Sequence, residues 1–450
     1  MGFVLAAAGS AIGLGNLWKF PYITWSNNGG AFVLAYLVCI LIVGLPIMMA
    51  EILIGRRTQK SAVGALREAI GPAWGLVGGL GVLTGFVILG YYTVVAGWTL
   101  RYFVRCLLWS FQGYASKADL VADFDAFSAN GPLQLLLSAL FMGATVAVVY
   151  FGVGRGIERI SRRLMPLLFG IVLLLLITAL TMDGAGRALV FIFRPNFAEL
   201  ELTGLLEALG HSFFTLSLGM GAMITYGSYL KRDASVPSSA MVVVALDTVI
   251  AIFATIIMFS VIFSVPGMSE QIGSSPVGML FISLPELFYT VVPLGAFLAP
   301  LFYVLVGFAA LTSTISLLEV TVAYFIDQRG MSRSRATYLC GGSIFVITAL
   351  CGLSFGAWGP ISNFVLFPGK PGLFQFLDHL AANWLLPVGG FLLTLGTGWF
   401  ITRESTHAEL VDEYTPRWFH YGAWRFFIRF VAPVAVAFII GAVIMGKDFS

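Results

Sequence analysis

Three carboxylates lie inside long apolar stretches of the sequence, where a charge is costly and is usually functional. They are Glu51, Asp247 and Glu319. Asp247 is the most informative of them, because residues 242–252 around it include no basic residue. We interpret Asp247 as a cation ligand, with a protonated, hydrogen-bonded acid as the alternative. For Glu51 we favour a structural role, in which it accepts hydrogen bonds from the N–H groups of an unwound helix, and we leave the role of Glu319 open.

Two glycine-rich segments place oxygen-bearing side chains in otherwise apolar runs. Residues 9–16 read GSAIGLGN and residues 213–221 read FFTLSLGMG. Glycine costs roughly 1 kcal/mol in a helix interior, so both segments predict local unwinding, which at membrane depth is tolerated where the backbone lines a cavity. Close helix packing through small residues is the alternative reading of each segment taken alone.

Unwound segments of this kind can bind two sorts of charge. Their free carbonyls suit a cation, and the exposed N–H groups at the start of a half-helix suit a carboxylate. Further oxygen ligands, which hard cations prefer, are available from Asn16, Thr215, Ser217 and the run 312–314. One site of this kind can therefore hold a sodium ion and the carboxylate of an amino acid side by side.

The composition shows which elements must position these residues. Of the 450 residues, 59% are hydrophobic and only 10% are charged, and the mean hydropathy is +0.93. A soluble domain is about half apolar and a quarter charged, so the lipid bilayer is the expected partner. The sequence shows no nucleophile–base pair, metal-ligand spacing or phosphate-binding loop. We expect neither an enzyme nor a nucleic-acid binder.

Hydropathy predicts an all-α membrane protein with about eleven transmembrane helices. The expected spans are 2–24, 30–55, 75–108, 132–151, 160–181, 205–230, 236–265, 295–327, 333–354, 374–402 and 425–446. Lys and Arg concentrate in the loops after the even-numbered spans, which places these loops and the N-terminus in the cytoplasm and the C-terminus outside. We expect a multi-pass protein of the cell (inner) membrane, with no cleaved signal peptide.

The two glycine-rich segments fall in the first and sixth spans, five spans apart. That spacing is typical of two inverted repeats of five helices, with the binding site at the membrane midplane. We expect a single domain over 1–450, with a first repeat at about 1–182, a second at about 205–404 and an extra helix at about 425–446.

Several strings of residues resemble the neurotransmitter:sodium symporter family. They are AGSAIGLGNLWKFPY with NNGGAF close behind, YYTVVAGW, GRGIERISRRLMP, FFTLSLGMGAMITYGSY and ALTSTIS, and they run in order along the whole chain. The resemblance implies a five-plus-five inverted-repeat bundle of the LeuT type. The count of eleven spans is similar to the bacterial branch that carries hydrophobic amino acids.

The resemblance implies two sodium sites beside the substrate. The first would use Ala11, Asn16, Thr215 and Asp247 together with the carboxylate of the substrate, and the second would use Gly9, Ile12, Ala309, Thr312 and Ser313. The substrate would lie among Ser10, Ala11, Gly13, Leu14, Gly15, Ile88, Tyr92, Phe214, Thr215, Ser217, Met220, Ser313 and Leu317. Its carboxylate would meet the N–H groups of Leu14 and Gly15 and the hydroxyl of Tyr92.

Gate residues are implied in the same way. Tyr92 and Phe214 would cap the substrate from outside, with Lys19 and Asp378 as an outer ion pair. Asp327, Ser228 and Tyr229 would form the cytoplasmic gate. Its arginine partner in the family would precede residue 1, so we expect a short cytoplasmic segment before the sequence given.

Two departures from the family pattern bear on chloride. The family commonly has Asn at the position of Asp247 and Gln at the position of His211. A carboxylate beside the first sodium would replace a bound anion, so we expect chloride-independent transport and no chloride cofactor. On this hypothesis Asp247 takes up a proton when the ions leave.

The residues of the expected pocket indicate the substrate class. Ser10 stands where monoamine carriers of the family have an acid, so the substrate should keep its own carboxylate, and a charged side chain would be left unpaired. Met220 adapts its shape readily, which favours a hydrophobic or aromatic L-amino acid. The alternatives are a proton-coupled amino-acid permease and a non-transporting amino-acid sensor.

Overall fold

The computed structural model of the chain describes residues 2–114, 116–265 and 276–449. Its regular structure is helical. Within the described residues, β pairing is limited to one isolated antiparallel bridge between Val365 and Pro371. The predicted all-α class is therefore confirmed.

Nine helices among the described residues are long and apolar enough to cross a membrane. They are Gly30–Thr58, Pro72–Gln112, Gly131–Tyr150, Val153–Leu180, Val236–Phe263, Gly295–Arg329, Arg333–Leu353, Leu373–Phe400 and Tyr421–Ile444. They correspond to all the predicted spans except the first and the sixth. Pro72–Gln112 is 41 residues long, about twice what the hydrocarbon requires, so it tilts or projects beyond the bilayer.

The first predicted span is a bent pair of helices. Gly2–Ala11 and Gly15–Ser26 meet at 48°, with Ile12 and Gly13 outside any helix. The second helix of the pair begins with a wide turn over Gly15–Lys19. The break thus falls within the predicted segment 9–16.

The sixth predicted span is also interrupted. It consists of Leu202–Thr215 and Ala222–Gly227, joined by a link in which Ser217, Gly219 and Gly221 have positive φ angles of 54°, 77° and 72°. Glycine adopts this backbone at little cost, whereas Ser217 adopts it against its preference. Among the described residues, nine long helices and the bent pair match ten of the predicted spans, and this shorter interrupted pair occupies the place of the sixth.

Close backbone contact joins the second span to the second half of the sixth. A side chain at Gly55 would place its Cβ atom 1.9 Å from the carbonyl oxygen of Ile224, and one at Gly227 would lie 2.6 Å from the carbonyl oxygen of Ile52. These glycines let the two helices touch along their backbones. The interrupted helix is therefore held directly against the second span.

The centre of the bundle is built around the first helix. Gly2–Ala11 packs against Val153–Leu180, Val236–Phe263 and Gly295–Arg329, and the last of these packs along Gly75–Gln112. This packing brings the break in the first span next to the seventh, eighth and third spans. Shorter helices lie outside the spans, at Ala62–Ala69, Lys117–Ser128, Ala185–Phe193, Met279–Thr290, Gly359–Ser362 and Arg403–Leu410.

Candidate functional site

A buried carboxylate lies where the two breaks meet the seventh span. Asp247 is inaccessible to solvent, and its Oδ1 accepts hydrogen bonds from Asn16 Nδ2 at 2.7 Å and from Thr215 Oγ1 at 2.9 Å. The hydroxyl of Tyr36 donates to Oδ2 at 3.5 Å. No Lys or Arg in the described parts of the chain lies within 4.0 Å of this carboxylate as an ion pair. A buried negative charge held by neutral donors is a suitable ligand for a small cation.

The break in the first span is shaped by the same asparagine. The Oδ1 atom of Asn16 accepts a hydrogen bond from the Gly13 N–H group at 3.0 Å, and its Nδ2 also donates to the carbonyl of Asp247 at 3.1 Å. One side chain therefore supports the unwound backbone and ties it to the seventh span. Asn16, Thr215 and Asp247, three of the expected first-sodium ligands, are mutual neighbours.

A second group of oxygens lies between the first and eighth spans. Ser313 Oγ is 3.5 Å from the carbonyl oxygen of Ile12, and Thr312 Oγ1 donates to the carbonyl of Ala309 at 3.0 Å. A Cβ atom at Gly9 would lie 3.1 Å from Thr312 Cβ, so the first and eighth spans are in contact there. The five residues expected at the second sodium site thus lie together, and their carbonyl and hydroxyl oxygens suit a hard cation.

A small cavity connects the two breaks with the third and eighth spans. Its volume is about 30 Å³, room for about one water molecule. It is lined by Ser10, Ala11, Gly13, Gly15, Ile88, Tyr92, Phe214, Thr215, Ser217, Met220, Ser313, Ser316 and Leu317. The structure therefore brings together every residue expected around the substrate except Leu14.

Leu14 lies at the edge of this cavity through its backbone. Its N–H group, at the start of a half-helix, donates to the hydroxyl of Tyr92 at 3.0 Å. On another wall, Ser217 Oγ donates to the carbonyl of Ser10 at 3.0 Å, and Ser10 Oγ donates to Ser316 Oγ at 2.9 Å. The cavity thus has one polar end and one wall of hydroxyl groups.

Two aromatic residues separate this cavity from a larger one. The larger cavity, which we call the vestibule, has a volume of about 560 Å³ and is lined by residues that include Trp18, Lys19, Tyr91, Glu207 and Asp378. Tyr92 and Phe214 line both cavities. These are the two residues that the family resemblance implies as the outer cap of the substrate.

The expected outer ion pair is not formed as a direct contact. Lys19 and Asp378 both line the vestibule, but the ion pairs within 4.0 Å among the described residues do not include this pair. Instead, the Lys19 ammonium donates to the carbonyl of Phe449 at 3.2 Å and lies 5.2 Å from the ring centroid of Phe214. The ammonium thus contacts Phe449, near the end of the sequence, and nothing in the family motifs predicted this.

The three residues expected at the cytoplasmic gate have separate partners. Asp327 Oδ2 accepts from the Ser61 N–H group at 2.5 Å, and Ser228 Oγ donates to a carbonyl of its own helix. Tyr229 donates to Glu319 Oε1 at 2.7 Å. Asp327, Ser228 and Tyr229 therefore share no direct hydrogen bond within the described part of the chain.

The two other buried acids, Glu319 and Glu51, have clear structural partners. Glu319 is fully buried and forms two hydrogen bonds with the Arg333 guanidinium, at 2.8 and 2.9 Å. Glu51 Oε1 accepts from the Gly219 N–H group at 2.7 Å, which is the structural role favoured for it. Glu51 therefore satisfies backbone freed by the break in the sixth span.

His211 is a buried imidazole beside the Asp247 cluster. Its ring stacks on Phe20 at 5.6 Å and lies 5.8 Å from Tyr36. Neither ring nitrogen has a hydrogen-bond partner among the described residues. Tyr36 was not predicted as a site residue, and neither was Ser316, although a polar residue among apolar neighbours in each span was a visible signal.

Comparison with known proteins identifies the family. A family model described as the sodium:neurotransmitter symporter family matches residues 1–113 and 111–448. The chain belongs to the sodium:neurotransmitter symporter family. This symporter is therefore a sodium-dependent, multi-pass membrane transporter.

Relatives of this symporter extend over nearly its whole length. It is 37% identical over 441 residues to the uncharacterized sodium-dependent transporter YhdH of Bacillus subtilis, covering 98% of this chain and 95% of that protein. It is 28% identical over 452 residues to an uncharacterized sodium-dependent transporter of Haemophilus influenzae, covering 97% and 95%. A crystal structure of MhsT in complex with L-phenylalanine superposes with a TM-score of 0.87 at 40% identity, covering 98% of both chains. The predicted LeuT-type bundle is thus confirmed.

Proposed function

We propose that this symporter imports hydrophobic or aromatic L-amino acids together with two sodium ions, by alternating access and without chloride. The observation that carries the proposal is the Asp247 carboxylate, which is buried among neutral donors from three other spans. Such a charge is costly in the membrane unless a cation offsets it. A sodium ion beside Asp247 supplies that cation and presents a positive charge to the carboxylate of a bound amino acid.

The polar end of the small cavity supports recognition of the substrate carboxylate. The Leu14 N–H group and the Tyr92 hydroxyl already meet at 3.0 Å, and Gly15 lines the same cavity. Amides at the start of a half-helix favour an anion. We infer that the substrate carboxylate inserts between these donors and the first sodium, so that the substrate itself completes the ion site.

The remaining walls support an apolar side chain. Ile88, Met220 and Leu317 line the cavity beside Phe214, and the described lining includes no Lys, Arg, Asp or Glu. The relative MhsT was crystallised with L-phenylalanine. A hydrophobic or aromatic amino acid is the substrate class that leaves no charge unpaired in this pocket.

The second sodium would bind between the first and eighth spans. Gly9, Ile12 and Ala309 offer carbonyl oxygens there, and Thr312 and Ser313 offer hydroxyl groups. These ligands come from two helices that must stay together for the ion to remain bound. Sodium binding at this place would therefore couple the position of the first span to that of the eighth.

Chloride independence is supported by the fixed charge of Asp247. A carboxylate in contact with Asn16 and Thr215 provides the negative charge that a bound anion would otherwise provide.

The proposed orientation in the cell membrane rests on the distribution of Lys and Arg. This distribution favours a cytoplasmic N-terminus and a C-terminus outside.

Uptake into proteoliposomes tests the proposal. Purified protein is reconstituted, and accumulation of labelled tryptophan and leucine is measured with an inward sodium gradient and with a choline control. We expect accumulation with sodium alone, unchanged when gluconate replaces chloride. Accumulation driven by a pH gradient without sodium would support a proton-coupled permease, and binding without accumulation would support a sensor.

A further inference from the structure

The segment that follows the last helix turns back into the vestibule. Tyr421–Ile444 ends in a cap in which Gly446, with a φ angle of 87°, reverses the chain, and the Lys447 N–H group donates to the Ala442 carbonyl at 2.9 Å. Asp448 and Phe449 then line the vestibule. We call residues 447–449 the tail.

A buried amide on the tenth span holds the tail at two points. Asn383 is inaccessible to solvent. Its Oδ1 accepts from the Phe449 N–H group at 2.8 Å, and its Nδ2 donates to Asp448 Oδ1 at 2.8 Å. An amide buried in a membrane helix needs such partners, and the tail supplies one to each end of this side chain.

The Asp448 carboxylate also has cationic and imidazole neighbours. Lys370, in the loop before the tenth span, lies 2.6 Å from Oδ2. His379, one turn before Asn383, lies 3.2 Å from Oδ1. The side chains of Lys370, His379 and Asn383 thus all contact the Asp448 carboxylate. These contacts hold the tail in place.

The other end of the tail reaches the first span. Lys19 donates to the Phe449 carbonyl at 3.2 Å, and a Cβ atom at Gly210 would lie 3.9 Å from Phe449 Cβ. Gly210 is one helical turn before Phe214, the aromatic residue between the two cavities. Phe449 therefore lies directly outside the expected cap of the substrate.

From these contacts we propose that the tail is part of the outer gate. It links Lys19 of the first span to Asn383 of the tenth, the connection that a direct Lys19–Asp378 pair would otherwise make. Substrate passes between the vestibule and the inner cavity only when the tail leaves Asn383. This inference rests on the proposed transport function for its consequence, but the docking of the tail can be measured separately.

Docking is tested by cross-linking. In a variant whose native Cys39, Cys106, Cys340 and Cys351 are replaced by serine, Phe449→Cys and Gly210→Cys are joined as a disulfide by mild oxidation. The two Cβ positions lie 3.9 Å apart, which suits a disulfide, and the side chains that hold Asp448 are unchanged. We expect efficient cross-linking, and we expect Asn383→Leu to reduce it strongly. No cross-linking in the parent, or cross-linking that is indifferent to Asn383→Leu, would overturn the docked position.

The gating role is tested on the same protein in proteoliposomes. Cross-linking should stop sodium-driven uptake, and cleavage of the cross-link by a reductant should restore it. A chain ending at Gly446 should release bound labelled substrate about fivefold faster, as expected when one or more hydrogen bonds of about 1 kcal/mol are lost. Lys447→Ala is the matched control, because the Lys447 side chain is exposed.

The outcomes separate the two proposals. Full uptake by the cross-linked protein, together with an unchanged release rate in the shortened chain, would show that the tail is no gate. Absence of sodium-dependent binding in the unmodified chain would instead refute the proposed function and leave the cross-linking result standing.

Discussion

The side chain of Asn16 donates a 2.7 Å hydrogen bond to Oδ1 of Asp247, and this contact joins the break in the first span to the seventh. The same oxygen accepts from Thr215 in the sixth span. One carboxylate oxygen therefore connects three helices, two of which are interrupted at that depth. Any change in the charge of Asp247 acts on all of them at once.

Replacement of Asp247 should weaken sodium binding. Asp247→Asn keeps the shape of the side chain but removes its charge, and a hydrogen-bonded or coordinating charge contributes about 1.5–3 kcal/mol. We expect the sodium concentration for half-maximal tryptophan binding to rise about tenfold or more, and Asp247→Ala to abolish binding.

Asp183→Asn is the control for this prediction, because Asp183 is exposed between two spans. Equilibrium binding of labelled tryptophan over a sodium titration provides the measurement. An unchanged sodium dependence in Asp247→Asn would refute its role as an ion ligand. Chloride added to Asp247→Asn should partly restore binding if a mobile anion can replace the lost charge.

Two threonines on the eighth span give a matched test of the second ion site. Thr312 faces the first span at Gly9, whereas Thr314 shares a 2.8 Å hydrogen bond with Thr145 of the fourth span. Thr312→Val removes a proposed sodium ligand while conserving volume, so we expect sodium affinity to fall about fivefold or more, equivalent to about 1 kcal/mol. Thr314→Val should leave sodium affinity unchanged, and equal effects in the two variants would point to a packing defect.

Phe214 is expected to slow the exchange of substrate with the outside. It lines both the inner cavity and the vestibule, and its ring lies 3.2 Å from the position of a Cβ atom at Gly15. In Phe214→Ala this barrier is lost, so bound labelled substrate should dissociate about tenfold faster, with weaker affinity. Phe214→Tyr is the control, and dissociation at the parent rate in Phe214→Ala would exclude the residue as a cap.

Glu319 is expected to matter for stability more than for ion binding. Its carboxylate has no exposure, and the Arg333 side chain is 27% exposed. Removal of one partner from a buried pair costs about 3–5 kcal/mol, so Glu319→Leu should lower the temperature of heat inactivation in detergent by several degrees. Glu199→Gln, at an exposed site, is the control, and a parent-like inactivation temperature for Glu319→Leu would contradict the prediction.

The breaks were predictable from the sequence because glycine and hydroxyl residues cluster in them. Such a cluster determines the backbone conformation of the segment that contains it. The gathering of Asn16, Thr215 and Asp247 came from family motifs, since residues this far apart in the chain cannot be placed together by periodicity. The partners of Glu319 and the position of Phe449 were missed. Both depend on where a loop or a chain end folds back, and such contacts leave no repeating pattern in the sequence.

The interruption of the sixth span also bears on how the protein is assembled during synthesis. Leu202–Thr215 and Ala222–Gly227 are each shorter than the roughly 20 residues of a membrane helix, and the N–H group of Gly219 between them is bonded to Glu51. We expect the interrupted sixth span to be stable in the bilayer only when the second span, which carries Glu51, is already inserted beside it. Because synthesis proceeds from the N-terminus, the second span is inserted before the sixth, and this order would then help the protein to fold.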